Sequence, residues 1–133
     1  MELKVYNPIE WIKYAEDAHF ITFNEHRPSH MNRIDFALVC FDVEPLGYMT
    51  CKEFDNESVY IGYGGSFQKT FKVFTAYQLF LSYLKERYVR AVTLVENTNE
   101  AMIKLAMSQG FLITGIRYHK NIILLEMTNE WSK

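Results

Sequence analysis

At 133 residues, 49% hydrophobic and 23% charged, the chain has the length of one domain with a sizeable core and the composition of an ordinary globular protein. Fourteen basic against sixteen acidic side chains leave a formal net charge of -2, which excludes a general field for nucleic acid or an anionic membrane. No apolar run approaches the ~20 residues that span a bilayer, and Met1-Glu2-Leu3-Lys4 carries no signal-peptide apolar region, so the expected location is a cytoplasm.

Asn7-Pro8-Ile9-Glu10 predicts a helix start, with Asn7 as cap, Pro8 at the first helical position and Glu10 reaching back. Ile9, Ile12, Ala15 and His19 then recur at helical spacing. Phe20 to Asn32 reads as a polar loop around Pro28. Arg33 to Val43 is apolar on both faces, as a central strand covered on both sides would be. Glu44-Pro45-Leu46-Gly47 turns the chain into a second strand from Tyr48 to Phe54. Asp55-Asn56 turns it again into a third, Ser58 to Tyr63, giving an antiparallel meander.

A long helix follows from about Gln68 to Arg87, with Phe71, Phe74, Tyr77, Leu81 and Leu84 on one stripe. Arg90 to Val95 is a strand and Asn99 to Gln109 a short amphipathic helix. Phe111 to Tyr118 and Asn121 to Met127 close the chain as a hairpin across His119-Lys120. The globular part is thus expected to end near residue 127, with 128–133 as a tail.

The side chains exclude several chemistries. Cys40 and Cys51 fall in consecutive predicted strands and read as reduced core thiols. Pro28 prevents the helix that would bring His26 and His30 to one face, so no metal site is expected. The aromatics, 16% of the chain, are not interleaved with a basic stripe, so no nucleic-acid partner is expected.

The run from Asn99 to Gly110-Phe111 resembles the last block of the Gcn5-related N-acetyltransferases, in which Gly-Phe stands eleven and twelve positions after Asn. The resemblance implies an α+β single-domain fold over 1–133, a central mixed, mostly antiparallel sheet flanked by helices and completed by a first strand at Glu2 to Tyr6. It also implies acetyl-CoA as cofactor and an amine as acceptor. In the family a Tyr of this block often protonates the departing thiolate; here that position is Ala106.

The family's cofactor loop places Gln or Arg, then two residues, Gly, one residue, and Gly or Ala at the start of the long helix. That register gives Gln68, Lys69, Thr70, Phe71, Lys72 and Val73, so Gln68 matches and both small positions carry bulk. Lys69 and Lys72 are candidates to meet phosphates, and Gly62, Gly64 and Gly65 to supply backbone amides; alternatively, the glycines end a strand and Phe71 fills the groove. With Asn99 these residues form the candidate cofactor set. Glu53 and Glu57 are candidate bases, and Tyr60, Tyr63 and Tyr118 candidate acids. An active enzyme would bind acyl-CoA and an amine. A degenerate member, similar to small acetyltransferase-like proteins of tailed bacteriophages, would instead contact a protein partner in host cytoplasm or virion, and a homo-oligomer fits either case. A small-ligand binding module using the vacated groove is the third class.

Overall fold

The computed structural model describes residues 1–14, 34–66 and 72–131. Its strands are β1 (Glu2–Tyr6), β2 (Phe36–Asp42), β3 (Glu44–Glu53), β4 (Ser58–Ser66), β5 (Arg90–Glu96), β6 (Leu112–His119) and β7 (Ile122–Glu130). Helix α1 covers residues 8–14, α2 is Lys72–Lys85 and α3 is Glu100–Ser108. The strands hydrogen-bond in the order β1-β2-β3-β4-β5-β7-β6. The pairs β1–β2, β2–β3, β5–β7 and β6–β7 are antiparallel, while β4–β5 is parallel. A parallel pair needs a crossover, and α2 lies between β4 and β5 in the chain. The mixed, mostly antiparallel sheet is the expected one.

Contacts sort the chain into two compact units, Met1–Lys52 with Gly62–Ser82, and Glu53–Ile61 with Tyr83–Lys133. In the first, α1 opens with the anticipated reciprocal cap: Glu10 N donates to Asn7 Oδ1 at 2.8 Å and Asn7 N to Glu10 Oε1 at 3.1 Å. Its buried face differs from the expected one. Ile9 and Ile12 are exposed, whereas Trp11 is buried against Tyr48, ring centroids 5.3 Å apart. Tyr14 stacks on Tyr6 and meets Phe41 edge-on. A large ring packed on other rings gains both buried area and ring–ring contact, and the helix is rotated to make it. Ala15 and His19, like the 20–32 loop with His26 and His30, lie outside the described residues.

Strand β2 buries Ala37, Leu38, Val39 and Cys40 completely, as its two-sided apolar pattern requires. The turn after it is tighter than the Glu44–Gly47 segment suggests. The chain reverses at Val43, with φ 68°, and Pro45 already pairs with Phe41 beside an irregularity in register. Proline is tolerated there because the ladder is already interrupted. Cys40 aligns with Gly47 and Cys51 with Phe36, and both thiols are free. Burial pushes the Cys51 thiol well above its ordinary value.

Helix α2 buries Ala76, Tyr77, Phe80, Leu81 and Leu84, a narrower stripe than the sequence suggests, and Phe74 is exposed. In the second unit Val59, Ala91, Val95, Ala106, Phe111 and Met127 are buried. The β6–β7 turn falls on Lys120 and Asn121, both at positive φ (47° and 66°), rather than on His119-Lys120. Such a two-residue turn matches the right-handed twist of its strands. Residues 128–130 are not a tail: Thr128 aligns with Val92 on one side and Leu112 on the other, and Trp131 N bonds Val89 O at 2.8 Å.

Candidate functional site

Strand β4 carries three of the chain's six glycines, and two of them meet different surroundings. The strand does not end at the first of the glycines but runs through them to Ser66. Val59 and Ile61 are buried, Tyr60 is half-buried, and Gly62 and Gly64 are exposed. By the two-residue period of a strand, Tyr60, Gly62 and Gly64 share one face, so beyond Tyr60 that face presents bare backbone. Gly65 belongs to the other face. A Cβ there would lie 2.7 Å from Tyr48 Cε1 and 3.1 Å from its Cζ and Oη. At Gly64 a Cβ would meet only Tyr48 O, at 3.4 Å, an ordinary contact. Packing therefore requires glycine at 65 and does not require it at 64.

The parallel ladder joins Ser58 to Arg90 and ends at Ile61 with Thr93, where Thr93 Oγ1 donates to Ile61 O at 3.0 Å. Beyond Ile61, β4 runs on through Ser66 with no further β5 partner among the described residues.

The two glutamates stand at the opposite end of β4. Glu57 occupies the turn that opens the strand: its N–H donates to Asp55 Oδ1 at 2.8 Å, and its carbonyl accepts Val89 N at 2.7 Å and Arg90 N at 3.1 Å. The bond from Glu57 N holds the Asp55 carboxyl below its ordinary range. The Glu57 carboxylate is exposed, 3.8 Å from Arg90 Nη1. Glu53 accepts a hydrogen bond from the Tyr88 hydroxyl. From Ser58 to Gly64 is about 20 Å of strand, so neither glutamate is brought to the glycine run. Tyr60 aligns with Val92, two residues from Gly62 on the open face. Tyr118 is exposed on β6.

Gln68, Lys69 and Phe71 lie outside the described residues, as do the side chains of Tyr63, Lys72 and Val73. Asn99 has a structural role, since its Oδ1 accepts Met102 N at 3.2 Å and so caps α3. The other end of this block is built the same way. Ala106 is fully buried and its carbonyl accepts Gln109 N and Phe111 N at 3.0 and 3.1 Å. Gly110 adopts φ +99°, and Asn129 Nδ2 reaches Gln109 O at 2.9 Å. Among the described residues no group of three or more His, Cys, Asp or Glu could hold a metal ion, and no helix is long and apolar enough to cross a membrane.

Tyr48 and Trp11 are the residues that sequence reasoning missed. An isolated glycine within a strand pattern signals close approach of another group, and Tyr48 on the preceding strand supplies it.

No family model matches the chain, and no curated protein matches it in sequence. Solved structures do match in fold. A GNAT family acetyltransferase from Elizabethkingia anophelis with acetyl-CoA bound superposes with a TM-score of 0.69 at 13% identity, over 97% of each chain. The ribosomal-protein-S18-alanine N-acetyltransferase of Escherichia coli gives 0.75 at 12%, over 99% of this chain and 96% of that one. A spermidine N-acetyltransferase mutant from Vibrio cholerae gives 0.73 at 13%, over 98% and 95%.

Proposed function

For a chain with the fold of the Gcn5-related N-acetyltransferases, we propose an acyl-CoA-dependent N-acyltransferase whose cofactor lies along the open face of β4. The observation that carries this reading is Gly64. It is exposed, a Cβ there would meet nothing closer than 3.4 Å, and yet none is present. The bare stretch fits an extended, amide-bearing chain such as the pantetheine arm of acetyl-CoA, which needs close approach to backbone N–H and C=O groups. The pyrophosphate then falls to the start of α2, where helix amides favour negative charge. Acetyl-CoA supplies an activated acyl group to an amine acceptor. Tyr60, on the same face, is the chain's candidate for returning a proton to the thiolate, since Ala106 has none to give.

Ala106 also favours a second reading, a protein that keeps the fold and works by contact, of the kind tailed phages encode.

Calorimetric titration with acetyl-CoA and with coenzyme A separates the two. The first reading expects binding by the natural chain and its loss in Gly64→Leu with the melting temperature preserved. Absence of binding by the natural chain, or undiminished binding by Gly64→Leu, would overturn the proposed site.

A further inference from the structure

In the second unit the strand pairing fixes which residues share a face, because side chains directly opposite each other across a ladder lie on the same side of the sheet. Ala91, Thr93, Val95, Met127 and Asn129 fall on one face, and all are buried. The other face carries Tyr60 opposite Val92, Thr128 beyond Val92, and Glu126 opposite Leu94. Each of these is only half-buried, so this is the side a ligand can reach. The same face of β4 receives the cofactor in the reading above, on which the assignment below rests.

We propose that Glu126 is the general base that takes a proton from the amine acceptor, the role that neither Glu53 nor Glu57 is placed to fill. Glu126 stands two strands across and two residues along from Tyr60, in the direction in which β4 and β5 both run. In a regular sheet that separates the two Cα atoms by about 12 Å. Both side chains rise from one face, and the gap between their ends suits an attacking nitrogen, an acyl carbon and a departing sulfur, reacting atoms being about 3 Å apart. The other carboxylates of this face are worse placed. Glu130 lies toward Ser58 and sits 3.4 Å from Arg90 Nε. Glu96 is exposed, four residues along β5 from Val92.

The surroundings of Glu126 hold one carboxylate oxygen and leave the other to the acceptor. Arg117 Nη2 donates to Oε2 at 3.3 Å, with the two side chains 61% and 28% exposed. Gly115, opposite on β6, keeps the space clear, since a Cβ there would lie 3.2 Å from the same Oε2 and 3.5 Å from the Glu126 Cβ. An ammonium must lose two protons to become an amide nitrogen. One passes to Glu126 Oε1 and on to solvent. The nitrogen forms its bond to the acyl carbon as the carbon–sulfur bond breaks, and the thiolate takes the phenolic proton of Tyr60, which the second nitrogen proton restores through solvent.

Thiol release from acetyl-CoA, with calorimetric binding of acetyl-CoA and circular dichroism as controls, tests the assignment. The acceptor probes are butylamine, spermidine and an alanine-initiated peptide, all protonated at neutral pH, and hydroxylamine, which is largely unprotonated there and needs no base. Glu126→Gln should be folded and bind acetyl-CoA as the natural chain does, while kcat with the protonated amines falls roughly a hundredfold or more. With hydroxylamine, after subtraction of the uncatalysed reaction, the loss should be less than about tenfold, a difference that a merely structural role would not produce. Glu96→Gln should leave turnover unchanged, and Arg117→Lys should retain more of kcat than Arg117→Ala. Undiminished turnover in Glu126→Gln, an equal loss with both kinds of amine, or a natural chain that binds acetyl-CoA and acylates none of the probes overturns the role of Glu126 and leaves the cofactor site standing. A natural chain that does not bind acetyl-CoA overturns the cofactor reading, and this role with it.

Discussion

The contrast between Gly64 and Gly65 provides the sharpest test of how β4 is built. Gly65→Ala would place a methyl carbon 2.7 Å from Tyr48 Cε1, a distance at which one of the two groups must move. Tyr48 is only 3% exposed and lies against Trp11 with centroids 5.3 Å apart, so its ring cannot swing aside without displacing a second ring. Overpacking of this kind costs about 1–3 kcal/mol. For a domain of this length that corresponds to a fall of roughly 4 to 12 °C in melting temperature. Gly64→Ala meets nothing closer than 3.4 Å and should change stability by less than about 1 kcal/mol. The assay is thermal and denaturant unfolding of both variants beside the natural chain. Tyr48→Phe should not relieve Gly65→Ala, because Cε1 remains, whereas Tyr48→Leu should reduce its penalty, a coupling that a double-mutant cycle reads directly. Equal stability of Gly64→Ala and Gly65→Ala would refute the argument.

Phe111→Ala empties a fully buried site and should cost about 3–5 kcal/mol in denaturant unfolding; an unchanged midpoint would contradict it. Ala106→Tyr, which restores the family's hydroxyl, should lower the melting temperature rather than raise turnover, because the position is completely enclosed. Asp55 has a folded pKa below its unfolded value of about 3.9, so its contribution to stability is present above that value and lost as pH falls through the folded pKa. The penalty of Asp55→Ala, followed by melting curves at stepped pH, should therefore be constant near neutrality and vanish in acid.

Local chemistry by itself determined a good part of this protein. The cap at Asn7 and Glu10, the two-sided burial of β2, the α3 block from Asn99 to Phe111 and the left-handed Gly110 all follow from residues within a few positions of one another. Short-range rules reach that far because the hydrogen bonds and backbone angles concerned are themselves short-range. The tertiary structure decided what depends on distant partners. Helix α1 turned Trp11 inward instead of Ile9 and Ile12, since Tyr48, far along the chain, offers the better packed contact. The three glycines of β4 look alike in sequence, yet a Cβ at Gly65 would run into a ring while one at the exposed Gly64 would meet only a carbonyl oxygen at ordinary contact distance. Residues 128–130 became the last rungs of a ladder rather than a tail because β5 and β6 both offered partners there, a pairing invisible to any local pattern.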